Sequence, residues 1–144
     1  MKQIQCKSFN IEEDVVGRIT FRKKLFNRSK EIWVSKYASS PIFGYAATIT
    51  TNESIVSNGK PYCVVNSIEG FNEGDVVVIN KRGEIVFVYE VKSNHNAIMA
   101  TERCNHRCIM CPQPPILQEK DKTPFNLKLI SLFDKSTKEI GITG

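Results

Sequence analysis

The stretch Asp75–Val91, "DVVVINKRGEIVFVYEV", decides how the first two thirds of the chain read. Two runs rich in Val, Ile and aromatic residues flank "NKRG" at 80–83, a four-residue loop that ends on Gly83. Such side chains suit a pleated sheet, and a short loop ending in glycine joins antiparallel neighbours. The runs are apolar nearly throughout and show little of the alternation of a strand with one wet face. They predict central strands of a small barrel or sandwich. Outward from this hairpin, "YAATIT" (45–50) and "YCVVN" (62–66) have the same composition. Turn signals at "SNGKP" (57–61) and "EGFNEGD" (69–75) separate the runs. "DVVGRITFRK" and "KEIWVSK" add two further candidate strands. Residues 1–93 are therefore expected to form a β-rich N-terminal domain, without an internal repeat.

The chain has 144 residues, enough for one ordinary domain, or one small domain and part of another. With 41% hydrophobic and 24% charged residues it can bury a core, and wholesale disorder is excluded. No apolar run approaches the roughly 20 residues that span a bilayer. "MKQIQCKSFN" lacks the apolar centre of a signal peptide. A cytoplasmic protein without a membrane partner is expected. The net charge is +5, partly gathered in "RITFRKKLFNRSK" (18–30). Such a run is either a solvated face or a contact for nucleic acid or another acidic partner. No RNA-recognition motif, KH loop or helix-turn-helix pattern accompanies it, which argues against nucleic acid. Five cysteines, an odd number, argue against a disulfide framework. Cys6 and Cys63 stand alone and read as small buried or half-buried thiols.

After "KSNHN" (92–96) the character changes, and a second unit is expected over 94–144. "NAIMAT" (96–101) is a short apolar strand that runs into "ATERCNHRCIMCPQPP" (100–115). "TPFNLKLISLFDKS" (123–136) then predicts a helix, with Thr123 as N-cap and Pro124 at the first helical position. Phe125, Leu129, Leu132 and Phe133 fall on one face of it. "KEIGITG" (138–144) predicts a second strand. Strand, helix and strand in this order predict a βαβ unit and a parallel sheet. A lone βαβ unit leaves two edges unpaired, so it is expected to be truncated or completed by a partner.

Cys104, Cys108 and Cys111 place three thiols within eight positions. Soft thiolates select zinc, copper(I) or iron–sulfur clusters. Structural zinc wants a fourth protein ligand. His106 lies two residues from both Cys104 and Cys108, too cramped for all four to bind together. A 4Fe–4S cluster on three cysteines leaves one iron open to an outside ligand. Arg103, His106 and Arg107 favour thiolate over thiol and offset the negative charge of such a cluster.

C-x3-C-x2-C directly after a strand, within "TERCNHRCIMCP", resembles the radical S-adenosylmethionine (SAM) enzymes. In that family three cysteines hold a 4Fe–4S cluster, and SAM chelates the fourth iron. Reductive cleavage of SAM then yields a 5′-deoxyadenosyl radical that abstracts a substrate hydrogen. The resemblance implies that Cys104, Cys108 and Cys111 are the metal ligands, with a 4Fe–4S cluster and SAM as cofactors. Met110 stands where the family usually has an aromatic residue near the adenine; a thioether can also pack against a ring. "IGITG" resembles the start of the Gly-Gly-Glu segment that receives the SAM amino group, with Gly144 as its first glycine.

"CIMCPQPP" is more narrowly similar to the His-Xaa-Ser system radical SAM maturases. That likeness implies a peptide or small-protein substrate, a partner maturase, and an electron donor such as flavodoxin or ferredoxin. The fold class expected is multi-domain α+β. A β-rich barrel or sandwich would precede the first βαβ unit of a truncated radical SAM (β/α) partial TIM barrel, a fragment inactive alone. Two other readings of the residues stay open: a non-catalytic, zinc-stabilised interaction module, and a basic β-barrel that binds nucleic acid.

Overall fold

The computed structural model describes residues 2–26, 28–103, 109 and 119–144. The strands at the start are β1 (Gln3–Gln5), β2 (Lys7–Phe9), β3 (Val15–Thr20), β4 (Glu31–Val34) and β5 (Ala47–Thr50). β6 (Tyr62–Val64), β7 (Val76–Ile79), β8 (Glu84–Tyr89) and β9 (Ala97–Met99) follow. Helix α1 (Thr123–Ile130) and β10 (Gly141–Thr143) end the order.

Eight strands form one sheet, in the order β1-β8-β7-β3-β4-β5-β6-β2. β3, β4, β5 and β6 run parallel, each beside the one before it. Their partners Arg18↔Glu31, Ile32↔Ala47 and Thr48↔Tyr62 are 13, 15 and 14 residues apart, so this half advances in solenoid-like coils of nearly constant length. Parallel neighbours need a crossover, most often a helix. Here irregular loops serve, and part of them covers the sheet: Ala38, Ile42, Tyr45 and Ile55 pack with Trp33 of β4. Strands covered on both faces read as continuous apolar runs. β4 and β5 are accordingly buried at every position.

The β7–β8 hairpin adds antiparallel pairs on the other side of β3. Val77, Ile79, Ile85 and Phe87 join Ile19, Ile32 and Ile49 in the main core. Asp75, at the start of the hairpin, is fully buried. Its carboxylate accepts the Asn72 and Val91 backbone N–H groups at 2.9 Å each, and the Asn72 amide at 3.1 Å. These bonds join the turn before β7 to the end of β8 and offset the cost of burying the carboxylate.

The two ends of the sheet, β1 and β2, are arms of one segment that meet at Cys6. β1 pairs antiparallel with β8 (Ile4↔Ile85), and β2 antiparallel with β6 (Ser8↔Cys63). At the junction the Cys6 N–H donates to the Gly83 carbonyl at 2.8 Å. The sheet therefore closes on itself through a single bent segment, which covers what would be two free edges. Gly83 has φ +84°, and a Cβ placed on it would run into the Cys6 carbonyl oxygen. No other residue fits that hairpin end without moving the junction.

The expected fold, a β-rich barrel or sandwich followed by the first βαβ unit of a partial TIM barrel, is not the architecture. The dominant sheet is solenoid-like in its parallel half, and among the described residues α1, eight residues long, is the one helix. β9 and β10 pair over three residues each, apart from the large sheet. α1 and the turn after it bury Leu129 and Leu132 against Val16, Val76, Val78 and Tyr89, on the outer face of β3, β7 and β8. Phe133 stacks on Tyr89 with ring centroids 4.6 Å apart. Arg18 pairs with Asp134 at 3.0 Å, and the Tyr89 hydroxyl meets Thr137 Oγ1 at 2.6 Å. The physical reason is area. Each large apolar side chain gains about 1.5–3 kcal/mol on full burial. The outer face of the large sheet offers far more apolar surface than two three-residue strands.

α1 also begins and ends differently from the sequence expectation. Lys122 is the N-cap residue, without a side-chain cap, and Thr123 is already helical. The Asp121 carboxylate takes over part of the capping by accepting the Thr123 N–H at 2.9 Å. Leu132 and Phe133 lie beyond Ile130, in the turn that follows. Among the described residues, no helix is long and apolar enough to cross a membrane.

The seam at Gly83 makes a direct test. Gly83→Ala combines a left-handed φ with a backbone clash and should lower stability by roughly 1–3 kcal/mol in urea unfolding. Gly59→Ala has a similar φ of +77° but nothing within 4 Å of the new Cβ. It should cost only about 1 kcal/mol. Equal losses for both would show that the junction is not sterically closed.

Candidate functional site at the root of the cysteine loop

β9 leads through Thr101, Glu102 and Arg103 into the cysteine segment, and the chain returns at Glu119. Cys104, Cys108 and Cys111, the expected metal ligands, and Met110, the expected neighbour of SAM, lie outside the described residues. What the structure describes is the root from which they depart.

Several contacts aim β9 at this root. The Asn96 side chain accepts the Glu90 N–H at 2.8 Å and donates to the Glu90 carbonyl at 2.9 Å, holding the end of β8 to the start of β9. The Asn126 side chain donates to the Met99 carbonyl at 3.0 Å, which fixes α1 alongside. β10 lies parallel to β9 (Ile98↔Ile142), and the Ala100 N–H donates to the Thr143 carbonyl at 2.7 Å. Gly144, the expected SAM-binding glycine, is thereby brought against the loop root. A Cβ on Gly144 would lie 2.9 Å from Thr101 Cγ2.

Glu119 clasps the two ends of the segment together. Its carboxylate accepts the Thr101 hydroxyl at 2.7 Å and the Glu102 N–H at 2.8 Å. Lys122 reaches the same carboxylate at 3.0 Å and Glu102 at 2.5 Å. The Arg103 guanidinium donates to the Glu119 carbonyl at 3.3 Å. Charge-assisted hydrogen bonds of this kind are stronger than neutral ones. The Glu119 side chain is only 7% exposed. The Thr101 hydroxyl above all, with the Glu102 amide and Lys122, holds the Glu119 carboxyl down to about 2. Glu102, and after it Glu119, raises the Lys122 ammonium above its usual range. Asp121, one residue before the helix cap, is held below the usual carboxylate range by Thr123.

A pocket of about 920 Å³ opens beside the clasp. Tyr89, Ile98 and Leu129 contribute apolar walls, and Glu102, Glu119 and Lys122 line it with charge. Apolar walls with a few convergent polar groups suit a ligand of small-molecule size.

Sequence reasoning missed Thr101, Glu102, Glu119 and Lys122. Charged residues flank the cysteine–proline segment, but no spacing rule links a residue before it to one after it. Among the described residues, no group of three or more His, Cys, Asp or Glu is placed to hold a metal ion. No protein-family model, curated protein or solved structure matches the chain.

The clasp predicts a pH dependence. Because the Glu119 carboxyl is depressed in the folded chain, its contribution is complete above the ordinary carboxylate range. It is lost as pH falls from the ordinary carboxylate range through about 2. The Glu102 amide should therefore stay protected from hydrogen exchange at pH 5 and lose protection only near the lower limit. Glu119→Gln should speed exchange of that amide roughly three- to tenfold at neutral pH. An unchanged rate would mean that Glu119 does not close the loop.

Proposed function

We propose that the chain is an iron–sulfur protein in which Cys104, Cys108 and Cys111 hold a 4Fe–4S cluster. More particularly, we propose a radical SAM enzyme of the peptide-maturase kind. The observation that carries this reading is C-x3-C-x2-C on a segment whose two ends meet at Glu119. The donor set fits the group: three soft thiolates on a short segment can wrap a compact cluster without a fourth protein ligand. The chemistry the two cofactors supply when bound is one-electron cleavage of SAM, with release of a hydrogen-abstracting 5′-deoxyadenosyl radical.

The residues of the chain have distinct tasks in this reading. Cys104, Cys108 and Cys111 bind the iron. Arg103, His106 and Arg107 favour the thiolate state and offset negative charge. Met110 would offer a thioether to the adenine ring, and Gly144, which packs closely on Thr101, would present its backbone to the amino group of SAM. Tyr89, Ile98 and Leu129 exclude water from one side of the pocket, and Glu102, Glu119 and Lys122 orient charged groups at its edge. The likeness of "CIMCPQPP" to the His-Xaa-Ser maturases supports a peptide or small-protein substrate. A partner maturase, a flavodoxin or ferredoxin as electron donor, and a cytoplasmic location belong to the same proposal.

Anaerobic reconstitution with iron and sulfide tests it. The brown protein should carry about one 4Fe–4S cluster per chain. Cys104→Ala, Cys108→Ala or Cys111→Ala should each abolish it, whereas Cys6→Ala and Cys63→Ala should leave it in place. A colourless protein that retains stoichiometric zinc, or loss of the cluster in either of the last two variants, would refute the reading.

A further inference from the structure

Two thiols that the proposed function does not use meet at the seam of the sheet. Cys6 is half-buried at the bend between β1 and β2, and Cys63, in β6, is completely buried. In the antiparallel pair β2–β6, Ser8 stands opposite Cys63. Cys6, at the bend that leads into β2, is two residues from Ser8 and so near the position diagonal to Cys63. Both sulfurs border one apolar cluster, where Cys63 belongs to the core and Cys6 packs against it. Hydrogen bonding between the two side chains lowers the Cys6 thiol and raises the Cys63 thiol, which burial pushes up further.

We propose that Cys6 and Cys63 form a peroxide-sensitive dithiol whose oxidation to an intramolecular disulfide locks the closure of the sheet. The roles follow from exposure. Cys6 is the sulfur that an oxidant reaches, and its thiolate is the nucleophile. It attacks hydrogen peroxide: an S–O bond forms, the O–O bond breaks, and hydroxide leaves as water, giving a sulfenic acid. The Cys63 sulfur then attacks Cys6: the S–S bond forms, the S–O bond breaks, and a second water departs with the Cys63 proton. Two thiols and one peroxide yield one disulfide and two waters. The cross-link ties the bend at Cys6 to β6 and spans a long loop of the unfolded chain, the case in which a disulfide restricts that state most. The proposal is independent of the cluster reading, because it uses none of the loop cysteines.

The test uses the full chain with Cys104, Cys108 and Cys111 replaced by Ser, and hydrogen peroxide as the probe. The intact mass should fall by about 2 Da, and peptide mapping should recover Cys6 joined to Cys63. The melting temperature should rise by roughly 5–10 °C and return to its starting value with dithiothreitol. In a Cys63→Ser background, dimedone should trap a sulfenic acid on Cys6. In a Cys6→Ser background, Cys63 should stay reduced at the same dose. Mapping the chain with its five native cysteines, freed of metal, gives the same readout without any substitution. Disulfide-linked dimers, a stable oxyacid on Cys6 beside a free Cys63, or a cross-link that leaves the melting temperature unchanged would overturn the proposal.

Discussion

The hydrogen bond from Cys6 N–H to the Gly83 carbonyl holds together the two ends of one sheet. On one side of it β1 completes β8, and on the other β2 completes β6. Its net contribution as a single bond is modest, on the order of 1 kcal/mol. Its importance lies in what the junction seals. Ile4 and Cys6 pack against the cluster formed by Ile19, Ile32, Ile49, Val77, Ile79 and Ile85. With the junction in place that cluster is covered at this edge, and the opposite face of β3, β7 and β8 is left to receive Leu129 and Leu132. That docking sets the position of α1, and the Asn126 contact to Met99 carries the position on to β9.

The strands over 45–50, 62–66, 75–79 and 84–91 were legible because β-branched runs between strong turn signals have few alternatives. The coil repeat was not. Its register partners differ in kind, with Ile32 beside Ala47 and Thr48 beside Tyr62, so equal spacing leaves no recurring letters. β1 and β2 were missed for a different reason: three-residue arms on either side of a bend are too short for a periodic signal. The helix expectation ran too far because Leu132 and Phe133 keep helical spacing while occupying a turn packed on the same surface. A strand–helix–strand pattern likewise says nothing about which surface the helix will cover. Here the wide apolar outer face of the large sheet decided it, and the partial TIM barrel expected from sequence gave way.

The candidate site divides along the same line. The cysteine spacing is local chemistry and can be read directly. The clasp that gathers the ends of the segment is not, because Thr101 and Glu119 lie 18 positions apart and are ordinary surface residue types. Once folded they are no longer ordinary. Glu119 is almost buried, takes a hydroxyl and an amide on its two oxygens, and shares Lys122 with Glu102. The two ends of the cysteine segment, at Thr101–Glu102 and Glu119, are thus held at a fixed separation.

Closure by the N-terminal segment also sets an order of events in synthesis. β1 and β2 leave the ribosome before the other strands of the sheet, yet their partners are Glu84–Val86 and Tyr62–Val64. The parallel coils can stack one after another as they emerge, each on its predecessor. β2 can pair once β6 has emerged, but β1 must wait unpaired until the hairpin exists. Assembly of the sheet therefore ends with its earliest strand, in a step dominated by contacts distant in sequence, the kind that slows folding. A chain caught before that step presents two open strand edges together, so the risk of edge-to-edge association is concentrated in the interval just before closure.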